Sequence, residues 1–153
     1  MFNENTWKCG ESIAQKYMKK LGYKILYTNF SCVGVELDIV AILPKNVQCK
    51  QLKNELKNKI KENKNRKNTI KILKNRYKID KKQLNDLLVV TEVKARSNDN
   101  YGEGVFAINN AKINHIRRGG EFLLQNQRFE GLQIRFDVAS IDGEKVNYIE
   151  NAF

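Results

Sequence analysis

The sequence predicts an α/β protein: one mixed sheet flanked by helices, in the order α-β-β-β-α-β-β. Three observations carry this. Two β-branched segments, Val35–Leu43 (VELDIVAIL) and Asp86–Ala95 (DLLVVTEVKA), are apolar on one whole face and half of the other. Two segments with apolar residues near helical spacing lie one ahead of the strands and one between them. The 153 residues, 41% hydrophobic, are the length of one domain with a sizeable core.

The first helix is expected over Asn5–Leu21, with Trp7, Ala14, Tyr17, Met18 and Leu21 on its apolar side. Asn5 or Thr6 can cap it, and Gly22 can end it in a left-handed turn. Tyr23–Asn29 (YKILYTN) and Val35–Leu43 follow as strands, and Asp86–Ala95 is the strongest strand of the chain. A Gly- and Asn-containing loop covers Ser97–Gly104. A second helix runs from Asn110 to Gln127, and Gly119-Gly120 should weaken its middle by roughly 1 kcal/mol per glycine. Gln133–Ile141 and Lys145–Glu150 are strands joined by a turn at Asp142-Gly143.

Residues 45–86 interrupt this pattern. They hold 13 Lys and 8 Asn, with 15 basic residues against 4 acidic. That local excess equals the whole-chain charge of +11, so the rest of the chain is balanced. The segment reads as an insertion between two core strands, partly helical and partly disordered. Leu52, Leu56 and Ile60 form a thin helical stripe, and Ile70, Ile72 and Leu73 form a second apolar patch. A basic arm gripping nucleic-acid phosphates and a solvated loop expansion both fit such a composition.

The composition also excludes classes of function. No apolar run approaches the ~18 residues of a membrane span. Met1–Asn5 lacks the basic start of a secretory signal. Three cysteines (Cys9, Cys32, Cys49) without CxxC spacing argue against a disulfide framework or a thiolate zinc site, and fit a cytoplasmic protein. A single histidine, His115, rules out sites needing two imidazoles. There is no phosphate loop, Ser-His-Asp set or dinucleotide fingerprint.

Strand alternation puts Glu36, Asp38, Val40 and Ile42 on one face of their strand, and Leu37, Ile39 and Ala41 on the other. In the next strand Leu88, Val90, Glu92 and Lys94 share a face. If the two strands pair as a hairpin with the insertion as its swollen turn, Asp38, Glu92 and Lys94 converge. Ionised groups beside a core cost several kcal/mol each unless paired or bound to metal. Two or three carboxylates with one ammonium suit Mg²⁺ (or Mn²⁺), which takes oxygen ligands and keeps waters. Such an ion polarises a phosphate oxygen and generates hydroxide. The same four charges would also serve as a cross-strand salt-bridge network on a half-exposed sheet.

A run of motifs in order resembles the YraN-like proteins, small predicted endonucleases of the PD-(D/E)xK superfamily related in fold to archaeal Holliday-junction resolvases. The motifs are Gly10-Glu11 with Ala14, Gly22–Leu26 with Asn29, Glu36–Ala41, Thr91–Arg96, Tyr101-Gly102, Ala107-Ile108, Lys112 and Arg135–Val138. The resemblance covers about residues 7–142 outside the insertion. It implies a restriction-endonuclease-like sheet in a single nuclease-like domain over 1–153. It implies a Mg-dependent DNA endonuclease, with selectivity for branched or other non-duplex structures and with a homodimer by analogy. Asp38, Glu92 and Glu11 would hold the metal, and Lys94 would be the catalytic lysine. Three departures stand out: Val35 replaces the glycine of Gly-Glu-Ile-Asp, the turn before the ExK strand is enlarged by about 40 residues, and Gly119-Gly120 interrupts the second helix. The enlarged turn puts access to the DNA-binding face in question.

Each singled-out residue also has a structural role open to it. Glu11 can simply favour the first turn of its helix. Glu36 can be a further ligand or a surface acid. Arg96 and Lys112 can touch phosphate or remain solvated. Asp137, inside an apolar strand, is expected to pair with Arg96 or Arg135, and His115 to lie on the surface. Cys9 shows no feature of an activated thiolate. The competing function is non-catalytic nucleic-acid binding through the basic insertion; a third is an interaction protein built on the sheet.

Overall fold

The computed structural model describes residues 4–32, 34–62, 85–96 and 108–153, with the side chains of 4–8 and Arg96 excepted. In chain order come α1 (Glu4–Lys20), β1 (Lys24–Cys32), β2 (Val35–Leu43), α2 (Lys45–Glu62) and β3 (Leu87–Arg96). They are followed by α3 (Asn110–Leu124), a 3-10 turn at Gln127–Phe129, β4 (Gln133–Asp142) and β5 (Lys145–Ile149). The expected order holds, with α2 contributed by the insertion. The patch at Ile70–Leu73 and the loop Ser97–Gly104 lie outside the described residues.

The five strands form one sheet in the order β1-β2-β3-β4-β5. β1 to β2, β2 to β3 and β4 to β5 are antiparallel, and β3 to β4 is parallel. A parallel pair needs a crossover connection, and α3 lies on that connection. α1 covers one face, where Ala14 and Met18 pack on Ile39, Ala41, Val89, Val93, Ala139 and Ile141. α3 covers the other, where Ile116 and Leu123 pack with Leu37, Val40, Leu88 and Val90. Covering both faces explains why β2 and β3 are apolar almost throughout.

α1 already includes Asn5 and Thr6, so neither is its cap. Its C-terminus behaves as read: Gly22 takes φ +93°, Gly22 N–H donates to Lys19 O, and Tyr23 N–H donates to Met18 O. This paired pattern closes the helix on a left-handed residue. The β4–β5 turn has Gly143-Glu144 as its two central residues, one position later than expected, because Asp142 pairs with Lys145.

The root of the insertion is tied down. Lys45 N–H donates to Asp86 Oδ1 at 2.8 Å, and Gln48 Nε2 donates to Leu43 O and Asn85 O at 3.0 Å each. No residue of α2 is buried. The stripe of Leu52, Leu56 and Ile60 is half-covered, as a thin stripe should be. α2 starts next to the Leu43↔Leu87 pair, whereas the β2–β3 ladder ends at Ile39↔Thr91. The insertion therefore leaves the sheet at the end away from Asp38 and Glu92.

Gly119-Gly120 does not interrupt α3. Both glycines are buried, and a Cβ would stand 2.9 Å from Leu37 Cδ2 at Gly119 and 2.7 Å from Ile134 Cδ1 at Gly120. The two positions trade helix propensity for close approach of helix to sheet. Gly10 does the same for α1, where a Cβ would lie 2.9 Å from Ala95 Cβ. Ala95 has no rotamer to move, so the backbone must shift.

A buried polar knot fastens β4 and β5. Asp137, fully buried, accepts from Arg135 Nε (2.8 Å), Arg135 Nη2 (2.7 Å), Tyr148 Oη (2.8 Å) and Asn151 N (2.9 Å). Tyr148 Oη also lies 3.0 Å from Thr91 Oγ1, so the knot reaches β3. Of the two partners expected for Asp137, the structure selects Arg135.

Two stability predictions follow from this packing. Gly10→Ala should destabilise by about 1–3 kcal/mol in urea unfolding, although propensity alone favours alanine by roughly 1 kcal/mol. Asp137→Ala removes the acceptor of Tyr148 Oη and Asn151 N–H and leaves the half-buried Arg135 with only the exposed Glu150 as a carboxylate partner, and should cost about 3–5 kcal/mol by the same measurement.

Candidate functional site

The site lies where β2 and β3 part. Their ladder ends at Ile39↔Thr91; beyond it β2 continues against β1 to Cys32↔Val35, and β3 continues against β4 to Arg96↔Asp142. At the fork the Asp38 side chain takes over from backbone pairing: its Oδ2 accepts from Val93 N–H at 2.7 Å. Strict alternation along β2 fails here. Val35 and Leu37 share the α3-side cluster with Val40, while Ile39 and Ala41 belong to the α1 side. The expected grouping of Glu36, Asp38, Val40 and Ile42 on one face is therefore wrong across Asp38. Glu36 is exposed, on the rim of a cavity of about 410 Å³ at the β1–β2 turn, whose lining includes Ser31, Cys32, Gly34 and Val35.

Alternation does hold in β3. Leu88 and Val90 face α3, Val89 and Val93 face α1, and Glu92 follows the first pair. Glu92 is buried, and Lys112 of α3 reaches it, with Nζ 3.1 Å from Oε2. Asn109 caps α3 by accepting from Lys112 N–H at 2.8 Å, which fixes the turn that carries this lysine. Lys94 lies two residues further along β3, half-buried, in register with Ser140 of β4. From α1, Glu11 Oε2 accepts from Asn29 Nδ2 at 2.9 Å.

These charges act on one another. Burial, and next the negative charge of Glu92, push the Asp38 carboxyl up to about 7; Glu11 adds in the same direction, while the Val93 N–H and the Lys112 ammonium oppose. Asp38, Glu92, Glu11 and Lys112 thus share one electrostatic neighbourhood, assembled from α1, β2, β3 and α3. Among the described residues, no three His, Cys, Asp or Glu side chains stand close enough to form a finished metal cage. The donor chemistry still suits Mg²⁺, which is commonly held by one or two carboxylates and fills the remaining positions with water.

Of the expected site residues, Asp38 and Glu92 act on one another at the fork, Glu11 acts on Asp38 more weakly, and Lys94 is half-buried two residues beyond Glu92; the three acids are not gathered as a metal-holding group. Lys112 is tied to Glu92, a helix-to-strand contact without a local sequence signal. The side chain of Arg96 lies outside the described residues. Asp137 belongs to the structural knot, His115 is exposed on α3, and Cys9 is exposed on α1. Asn29 has a contact here that the sequence did not assign. Its backbone, at φ +50°, is the local sign that something unusual happens in β1.

Fold and site together define a mixed α/β protein with an acidic cluster where two central strands separate. The chain belongs to the uncharacterised protein family UPF0102, the YraN-like family, whose model matches residues 10–141. A UPF0102 protein of Persephonella marina is 26% identical over 153 residues, spanning 100% of this chain and 97% of its own. One from Pelobacter propionicus is 30% identical over 156 residues, spanning 99% and 84%. One from Sulfurihydrogenibium sp. is 24% identical over 143 residues, spanning 94% and 89%. No helix among the described residues is long and apolar enough to cross a membrane.

The raised Asp38 carboxyl makes a pH-dependent prediction. Its folded value of about 7 exceeds the ordinary 3.8, so the fold prefers the protonated form. The associated stability is full below about pH 4 and is lost as pH rises through about 7. In EDTA at pH 8, Asp38→Asn should therefore unfold at a higher temperature than wild type, by roughly 1–2 kcal/mol or about 4 °C. The difference should vanish below about pH 4; thermal scans across pH check it.

Proposed function

We propose that the chain is a magnesium-dependent endonuclease that hydrolyses DNA phosphodiesters, with a restriction-endonuclease-like sheet of the PD-(D/E)xK type. What supports this is the electrostatic coupling of Asp38 to Glu92, and more weakly to Glu11, at the fork, with Lys94 following Glu92 as in the ExK pattern. The acids repel one another, and a divalent cation relieves that repulsion. When bound there, Mg²⁺ or Mn²⁺ supplies Lewis-acid chemistry at a phosphodiester. Asp38 and Glu92 would hold the cation together with water, and Glu11 would have to swing toward them to join. Lys94 brings an ammonium that orients the attacking water and offsets negative charge building on the phosphate. Lys112 and Arg96 offer cations to the flanking phosphates, Lys112 after leaving Glu92. Preference for branched DNA and a homodimeric enzyme that cuts two strands accompany this reading by analogy.

The lysine-rich α2 favours a second reading, nucleic-acid binding without cleavage. Six lysines and two glutamates lie in its 18 residues, none of them buried. Because α2 is rooted away from the fork, the two readings are separable by deletion.

For the nuclease, Mg²⁺ or Mn²⁺ should raise the unfolding temperature saturably, and Asp38→Asn should abolish the rise. A panel of duplex, single-stranded, flap and four-way-junction DNA should be cut by wild type and not by Lys94→Ala. Equal cleavage by both would sink the mechanism. A pure binder would show no metal effect and a steep salt dependence of binding that flattens when residues 48–82 are deleted.

A further inference from the structure

We propose that the flank of α3 facing β1 is a stacking platform for single-stranded nucleic acid, bracketed by Arg118 and Arg128. The proposal rests on nucleic acid as the partner, which both readings above share, and needs no metal at the fork. Four arginine side chains are among the described residues. Arg135 is locked in the polar knot; Arg117, Arg118 and Arg128 are exposed on α3 and the 3-10 turn after it. The basic residues of α2, by contrast, are all lysine. Two contacts join this flank to the edge strand β1. Cys32 Sγ donates to Gly119 O at 3.9 Å, and while burial pushes the Cys32 thiol up, the Arg118 charge opposes it, so Arg118 overlooks the end of β1. At the other end Arg128 Nη1 donates to Tyr27 Oη at 3.3 Å. Between these two guanidiniums the rings of Tyr27 and Phe30 pair at 4.9 Å. α3 adds Phe122, the one exposed large apolar side chain among the described residues, at 42% exposure. It lies four residues on from Arg118, about 40° round the helix and on the same face.

The chemistry of this flank selects its occupant. A guanidinium pairs with phosphate through two N–H groups and also lies flat against a ring. An aromatic face accepts any unstacked base, because every base has a π-face. Arginine and ring together therefore match a strand that offers phosphate and base in turn. A duplex keeps its bases stacked on one another and has none to give Phe122. An acidic peptide would satisfy the guanidiniums and leave the ring without a partner. A second copy docked on the same face would bring three arginines against three.

Fluorescence anisotropy of a labelled oligothymidylate with the full chain in EDTA tests the platform, with a duplex of equal length and thermal unfolding as controls. Phe122→Leu keeps the apolar bulk and loses the π-face; it should bind the single strand about fivefold or more weakly, whereas Phe122→Tyr should bind as wild type does. Duplex affinity should be the same in both. Arg118→Ala and Arg128→Ala should each weaken binding and flatten its salt dependence. Because the insertion carries basic residues of its own, the place of contact is read separately: an oligonucleotide containing 5-iodouracil should photocrosslink to Phe122 or Tyr27. Crosslinks confined to residues 45–86, wild-type single-strand affinity in Phe122→Leu, or no binding of the oligonucleotide by wild type would overturn the platform. An equal loss of polyglutamate binding in Phe122→Leu would overturn it in favour of an acidic peptide. DNA cleavage by a Phe122→Leu chain that binds single strands normally would remove the platform and keep the nuclease. The expected losses of binding, with no substrate cut, would keep the platform and remove the nuclease.

Discussion

The hydrogen bond from Val93 N–H to the Asp38 carboxylate is the constraint around which the rest is arranged. Two central strands can separate only if the backbone groups they stop sharing find other partners. At the fork that partner is a charged side chain. A carboxylate accepts strongly from a backbone N–H, so it closes the end of the ladder well. It also brings a negative charge to a place that is partly shielded from water. Glu92, next to Val93, brings a second. The fold thus satisfies a backbone donor by creating an electrostatic problem, and the proton affinity of Asp38 records it. Lys112 answers part of that problem from α3.

β3 is held from the other side as well. Thr91, immediately before Glu92, lies within hydrogen-bond distance of Tyr148, and Tyr148 donates to Asp137. Asp137 is locked by both nitrogens of the Arg135 fork. Arg135 also donates to Tyr23 Oη at 2.7 Å and to Glu150 Oε2 at 3.2 Å. Burial first, together with the neighbouring acids, pushes the Tyr23 hydroxyl upward, so it stays a neutral partner at any physiological pH. The α1 side of β3 is therefore rigidly satisfied, while its α3 side carries exchangeable charge. Functional groups on a strand pinned in this way keep their geometry better than groups on a loop.

Element order, the limits of β2 to β5 within a residue and the antiparallel β2–β3 pairing were legible because β-branched runs and helical spacing are local signals, whereas β1 runs three residues past the expected Asn29 to Cys32. The Asp137–Arg135 pair was legible for the same reason: an acid and a base two apart on an apolar strand have few other partners. What escaped was non-local. The grouping of Glu36 with Asp38 failed because alternation presumes ordinary strand dihedrals, and Asn29 at φ +50° sits across from Asp38. Gly119-Gly120 looked like a weak point because propensity was weighed without knowing that Leu37, Ile134 and Phe136 crowd that side of α3. The Lys112–Glu92 pair joins a helix to a strand 20 residues away in sequence, which no periodicity encodes. In the candidate site, the acids and Lys94 were singled out from sequence, whereas the contacts made by Asp38, Glu92 and Glu11 were not.

The distribution of charge completes the argument. The whole excess of +11 sits in the insertion, and the acids of the fork belong to a balanced remainder. The pairs from Ile39↔Thr91 to Leu43↔Leu87 separate the fork from the start of α2. Four residues of strand are roughly 14 Å, longer than the Debye length of about 8 Å at physiological ionic strength. The first turn of the basic helix is thus too far away to neutralise Asp38 and Glu92. Among the described residues, Lys112 supplies counter-charge to Glu92 from close range. Under the proposed metal-dependent reading, the same separation keeps the basic start of α2 from weakening the negative charge at Asp38 and Glu92.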